Sequence, residues 1–202
     1  MTYDESYYKA GNYTDYLDRR ERYHRLARDI DAFMDSICLR STGSNLLDYG
    51  CGPGFLMEGF RELGYTNVVG HDISKWAIQY ADNIGIKGIA HCLDNVIQDR
   101  YHLTVMLDVL EHIKYDDINK LLRKLKTHFV LVRIPICKKD GGNYNYPVSN
   151  KDPTHITKLS KTSWDATFKN TGYRHVCRIN LPNIWDSNGV LCALYEKNHE
   201  DV

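Results

Sequence analysis

The sequence has no charge of either sign to spare. Its 26 lysines and arginines balance 26 aspartates and glutamates, for a formal net charge of zero. A general nucleic-acid binder carries a basic excess, so neither DNA nor RNA is the expected partner. The densest basic run, Lys120 to Lys126, lies on a helical pattern and reads as a solvated face. Cysteine is sparse and scattered, six residues at 38, 51, 92, 137, 177 and 192 with no CxxC pair. That spacing argues against zinc, and no metal is expected. Cys92, Cys177 and Cys192 sit in apolar runs and read as buried thiols. The chain also lacks a membrane-length apolar run and a signal peptide. A reduced, cytoplasmic protein with no membrane contact is therefore expected. No internal repeat or low-complexity tract interrupts its 202 residues, which suffice for one α/β domain with a full core.

What the sequence does have is a glycine-rich turn in a telling place. Leu46-Leu47-Asp48-Tyr49-Gly50-Cys51-Gly52-Pro53-Gly54 is a short apolar strand, an acid, then glycine at every second position. A helical pattern follows from Phe55. Such glycines adopt backbone angles that a β-carbon forbids, so the turn can lie close against a ligand. Asp72 ends the next apolar run, 22 residues after Gly50. An acid there in a βαβ unit accepts hydrogen bonds from ribose hydroxyls. An adenosine-type ligand is expected.

The glycine spacing narrows the choice. The dinucleotide fingerprint places glycine at relative positions 1, 3 and 6, and here position 6 is Phe55. Asp48, two residues before Gly50, would repel a phosphate. A ligand with a cationic end and no phosphate suits this loop better than NAD. At these residues the sequence resembles the class I S-adenosylmethionine-dependent methyltransferases. A second resemblance is Leu107-Asp108-Val109-Leu110-Glu111-His112-Ile113, similar to that family's segment after its fourth strand. The resemblance spans roughly residues 40–197.

Periodicity supplies the framework. Tyr23, Leu26, Ile30, Phe33, Met34 and Ile37 recur at helical spacing, predicting a helix over roughly 17–38. Strands are expected at Leu46–Tyr49, Val68–Asp72, Lys87–Cys92, Leu103–Leu107 and His128–Ile134. Two more are expected at Val176–Leu181 and Val190–Glu196. Between them come helices from Phe55, after a Ser74 cap, through Ile118, Leu121, Leu122 and Leu125, and after a Ser160 cap. Alternating strands and helices predict a doubly wound, mostly parallel α/β sheet with helices on both faces. The resemblance adds seven Rossmann-like strands with an antiparallel last one. It makes 1–202 a single methyltransferase domain, with an N-terminal arm and helix over 1–40. The core over 41–202 carries a substrate loop near 137–157.

The resemblance also assigns roles. Asp48, Gly50, Cys51 and Gly52 surround the methionine part of S-adenosyl-L-methionine, with Asp48 answering its ammonium. Asp72 takes the ribose hydroxyls and Ile73 packs on adenine. Asp94 is the choice near the adenine amine, with Cys92 and Leu93 as alternatives. Leu107 and Asp108 border the sulfonium or the acceptor. Methyl transfer otherwise asks only for alignment and removal of a proton. His155, in Asp152-Pro153-Thr154-His155-Ile156, is the expected general base, and His112 the alternative. Glu111 and His112 are equally well read as structural. Five tyrosines precede the first long helix. Of these, Tyr8, Tyr13 and Tyr16, together with Arg22, are expected to form an aromatic lid.

No motif names the acceptor. A small or medium polar molecule methylated on oxygen is the expectation. The Asn/Asp-Pro-Pro-Tyr run of enzymes acting on base amino groups is replaced here by Asp108-Val109-Leu110. The acidic and Asn ligands of a metal-dependent catechol site are missing too. The rival readings are a nucleic-acid or protein methyltransferase, a non-catalytic cofactor-binding subunit, and a nicotinamide oxidoreductase.

Overall fold

A computed structural model describes residues 3–9, 15–91 and 98–198. Tyr13, Asp94, Cys92 and Leu93 lie outside the described residues. The fold is doubly wound: seven strands in the order β3 (Ile89–Ala90), β2 (Val68–His71), β1 (Leu46–Tyr49), β4 (Arg100–Leu107), β5 (Lys126–Pro135), β9 (Val190–Lys197) and β6 (Tyr173–Arg178), mostly parallel, with the last strand antiparallel. The chain divides into two compact units, residues 1–102 with 181–183, and residues 103–180 with 184–202.

In the first unit, β1 (Leu46–Tyr49) is buried at all four positions, as a strand covered on both faces should be. It pairs in parallel with β2 (Val68–His71), with Asp48 opposite Gly70. β2 pairs in parallel with the two-residue β3 (Ile89–Ala90). A short helix α1 (Glu5–Lys9) precedes the long α2 (Arg20–Ser36), which buries Leu26, Ala27, Ile30 and Met34 along one face. Each of these larger side chains contributes roughly 1.5–3 kcal/mol by leaving water. Helix α3 (Phe55–Glu62) crosses α2 closely: a β-carbon on Gly59 would stand 2.8 Å from Ala27 Cβ. Helix α4 (Lys75–Asn83) starts at Ser74, whose hydroxyl accepts the Ala77 N–H at 3.0 Å.

The second unit holds most of β4 (Arg100–Leu107), then α5 (Tyr115–Lys124), β5 (Lys126–Pro135), α6 (Lys161–Asn170), β6 (Tyr173–Arg178) and β9 (Val190–Lys197). Ile118, Leu121 and Leu122 form the buried stripe of α5. β9 runs antiparallel to both β5 and β6. β6 begins three residues before the apolar pattern suggests. The cause is an irregularity between His175 and Cys177, which breaks the alternation and leaves Val176 37% exposed. Asn180–Leu181 and Ile184–Trp185 form a separate pair, β7 and β8. Among the described residues no helix is long and apolar enough to cross a membrane.

Candidate functional site

The first unit builds a loop around two carboxyl groups. Gly50, Gly52 and Gly54 all have positive φ, 78°, 52° and 80°. This lets the chain leave β1 and enter α3 in one tight turn, with Gly50 N–H donating to His71 O at 2.7 Å. Asp72 ties the loop to the next strand end. One of its oxygens accepts the Gly52 N–H at 2.7 Å and the other the Ser74 N–H at 2.7 Å. Each oxygen keeps a second lone pair. Burial raises the Asp72 carboxyl above its ordinary range, and those two N–H donors oppose the rise. Ile73, beside it, is 60% exposed, an apolar platform next to the acid. Asp48 is buried, and its Oδ2 has no hydrogen-bond partner among the described residues. Burial first, then the Asp72 charge, push its carboxyl up to about 8. A cationic group beside Asp48 would relieve that cost. Cys51 is buried, and its thiol is raised far above the ordinary value by burial.

The tyrosine arm lies on this loop. Tyr8 is buried and stacks on Trp76 at 5.0 Å. Ser74 donates its hydroxyl to the Tyr3 carbonyl. Tyr16 sits among Tyr8, Tyr23 and Phe55. A β-carbon at Gly52 would come within 2.8 Å of the Tyr16 hydroxyl. Arg22 is exposed on α2.

The second unit gathers a different set. Leu107, half-buried, ends β4, and Asp108 follows with a left-handed φ of 55°. Asp108 is held by Arg133: its carboxylate accepts from the guanidinium at 2.8 Å, and its N–H donates to the Arg133 carbonyl at 2.8 Å. Beyond it, Glu111 is wholly buried, and neither of its carboxyl oxygens has a hydrogen-bond partner among the described residues. The loop carrying His155 is clamped over it, because Ile156 and Thr157 both donate N–H to the Glu111 carbonyl at 2.9 Å. The His112 and His155 rings meet edge to face at 4.5 Å.

Hydrogen bonds fix the tautomers of both rings. His155 Nδ1 faces the Ser149 carbonyl at 2.9 Å. A carbonyl only accepts, so Nδ1 carries the proton. The Thr154 hydroxyl donates to Asp152 at 2.5 Å, and its oxygen lies 2.7 Å from His112 Nδ1. With its one proton given to the carboxylate, Thr154 accepts from that nitrogen. His155 therefore presents an Nε2 lone pair, and His112, like it, carries its proton on Nδ1. His155 Nε2 stands 3.9 Å from Glu111 Oε1 and 3.7 Å from Asp152 Oδ2. Burial lowers both imidazoles, His112 to about 4 with His155 adding to the fall, so both are neutral near pH 7. Burial and the Asp108 charge raise the Glu111 carboxyl far above its ordinary range.

Of the expected residues, Asp48, Gly50, Cys51, Gly52, Asp72, Ile73, Tyr8 and Tyr16 thus belong to the first unit's loop and arm. His112 and His155 come together in the second, with Asp108 nearby on its Arg133 partner. Sequence reasoning quoted Thr154 only as part of the His155 run, with no role of its own, and gave no place to Ser149 or Arg133. They act through contacts with residues 42, 6 and 25 positions away, which no local pattern signals.

The chain matches the family model described as a methyltransferase domain over residues 18–178. No curated protein sequence matches it. Similar solved structures include magnesium protoporphyrin IX methyltransferase ChlM from Synechocystis PCC 6803 with bound SAM. It is 14% identical, covering 90% of this chain and 83% of that one, with a TM-score of 0.61. The plantazolicin methyltransferase BpumL in complex with SAH is 13% identical, covering 96% and 93%, at 0.66. The mitomycin 7-O-methyltransferase MmcR is 14% identical, covering 89% of this chain and 54% of that one, at 0.63.

Proposed function

The chain belongs to the class I S-adenosylmethionine-dependent methyltransferases, and we propose that it transfers the methyl group of that donor to an oxygen of a small or medium polar acceptor. S-adenosylmethionine is its cofactor. In the reading proposed here, Asp48 answers the donor's ammonium, Asp72 its ribose hydroxyls and Ile73 its adenine. The observation that supports this best is the buried Asp48 oxygen without a partner beside a glycine loop. As the methyl leaves sulfur, the electron pair of that bond stays on sulfur. An acceptor oxygen forms the new bond and loses its proton. The neutral His155, with its Nε2 lone pair, is the group we assign to that proton, and His112 and Glu111 surround it. ChlM, BpumL and MmcR carry names that point to small-molecule acceptors, which supports the same class here.

The Asp48 assignment predicts a pH dependence of donor binding. With its carboxyl at about 8 in the free protein, Asp48 is protonated at pH 6.5. The donor's ammonium favours the carboxylate, so binding expels that proton. Affinity therefore rises from pH 6 towards pH 8 as the proton to be expelled disappears. Calorimetry at pH 6.5 in two buffers of different ionisation heat reads proton release directly, and Asp48→Asn should abolish it. Equal heats in both buffers would sink the assignment.

The arm is assigned as a lid. Deleting residues 1–16 should raise the donor's dissociation constant, because Tyr8 and Tyr16 cover the Gly52–Trp76 region. The truncated protein should keep its circular-dichroism spectrum, since α2 buries its own stripe. Undiminished affinity in the truncated protein would reduce the tyrosines to ordinary packing.

A further inference from the structure

A buried histidine is a poor place to leave a proton. Burial lowers the His155 pKa, yet the ring must become an imidazolium when Nε2 takes one. Two carboxyl groups face that nitrogen, Glu111 Oε1 at 3.9 Å and Asp152 Oδ2 at 3.7 Å. They differ in charge. Glu111 is wholly buried with neither oxygen hydrogen-bonded among the described residues, and burial raises its carboxyl far above the ordinary range. It stands there near pH 7 as a neutral acid. Burial pushes Asp152 the same way, but the Thr154 hydroxyl and N–H, at 2.5 and 2.8 Å on Oδ1, outweigh it and hold this carboxyl below its ordinary value. Asp152 is therefore the charged member of the two.

We propose that Asp152 is a positioning residue for the transfer, its fixed charge stabilising the His155 imidazolium that forms as the acceptor is methylated. The inference rests on the reading of His155 as the base. The local sequence puts the carboxylate in place. Proline at 153 confines the residue before it to extended backbone, and Asp152 ends the turn Pro147–Lys151 at φ −89° and ψ 109°. Its Oδ1 is spent on Thr154, and Oδ2 is the oxygen recorded nearest Nε2. At 3.7 Å that separation is too long for a hydrogen bond. Asp152 thus leaves the Nε2 lone pair to the acceptor and acts through its charge. The Ser149 carbonyl, holding Nδ1–H at 2.9 Å, keeps the ring from turning away. The other groups around the ring do less. Tyr144 and His112 meet it edge on at 5.4 and 4.5 Å, and burial keeps both uncharged near pH 7. Asp108 favours the imidazolium but is paired with Arg133, and Lys158, over the Tyr144 ring, opposes it. Against burial, Asp152 is the strongest influence raising the His155 pKa. In the transfer the acceptor's O–H bond breaks and its proton joins Nε2. The freed electron pair forms the bond to the methyl carbon, and the old carbon–sulfur pair stays on sulfur. Positive charge then appears beside a carboxylate that was already in position.

The test is Asp152→Asn in the full chain, alone and combined with His155→Ala. Asparagine keeps an oxygen for the Thr154 hydroxyl and N–H, so the loop stays closed while the charge is lost. Two readouts are taken. The first needs no acceptor: the His155 ring is titrated by NMR in histidine-labelled protein, its signal identified by its loss in His155→Ala. The second is the pH profile of single-turnover rates on an acceptor found by screening, with donor affinity measured beside it. In Asp152→Asn the His155 titration should move to lower pH, and the acid limb of the rate profile should move with it. The plateau should fall by about 10–100-fold, less than the loss of the base itself. Donor affinity should hold, which also certifies folding. The double variant should be no slower than His155→Ala alone, because Asp152 acts through that ring. A loop-building role alone would leave both titration and limb where they were, and that result would overturn the proposal while His155 stood as the base. Losses that multiply in the double variant would overturn it too. Near-normal turnover in His155→Ala would instead remove the base, and the role of Asp152 with it.

Discussion

Replacing His155 with alanine is expected to cut turnover by roughly 10²–10⁴-fold, the range for loss of a positioned group that handles a proton. Donor affinity should barely move. The reasoning starts from the tautomer. The Ser149 carbonyl holds the proton on Nδ1, so Nε2 is the working nitrogen. Capture of the acceptor's proton passes through that atom, so alanine removes it. Burial lowers the ring's pKa below the ordinary histidine value, so the acid limb of the activity profile should lie below that value. His155→Asn keeps a donor for the Ser149 carbonyl and separates a packing defect from a chemical one. The measurement pairs single-turnover rates with donor titration on an acceptor found by screening. A His155→Ala protein with near-normal turnover and an unchanged pH profile would remove this residue from the chemistry.

The second large effect is at Asp72. Asp72→Ala should weaken donor binding by about 1.5–3 kcal/mol, the scale of hydrogen bonds to a charged group, or about 10–150-fold. It also removes the acceptor for two backbone N–H groups, those of Gly52 and Ser74. Leaving buried donors unsatisfied costs about 1–3 kcal/mol each, so thermal stability should fall as well. Asp72→Asn keeps a carbonyl for one of them and should recover part of the stability but little of the affinity. That split identifies the lost affinity with the carboxylate rather than with a loosened loop. If both variants bind the donor as tightly as the parent, Asp72 does not hold the ribose.

Much of this architecture was legible in the residues. The stripe of Ile118, Leu121 and Leu122 announces α5, and Ser74 announces the start of α4, because helical periodicity and capping are local. The glycine turn and Asp72 were legible for the same reason, since backbone geometry at a strand–helix turn is written in adjacent residues. β6 was misplaced because an irregularity near Val176 breaks the alternation on which a strand is read. The histidine cluster was half visible. His112 and His155 were singled out by residue type, but Glu111 read equally well as structural. Its complete burial, and the loop that seals it, come from pairing residues 45 and 46 positions apart. Asp108 carried no sign of its Arg133 partner on β5.

The central claim is that the first unit holds S-adenosylmethionine through Asp48 and Asp72. Isothermal titration of the intact chain with S-adenosylmethionine, its demethylated product and NAD tests it most directly. One molecule of donor or product per chain should bind, while NAD gives no binding heat, because Phe55 replaces the glycine that a dinucleotide loop needs. Stoichiometric NAD binding, or a folded chain that takes up neither donor nor product, would contradict the account.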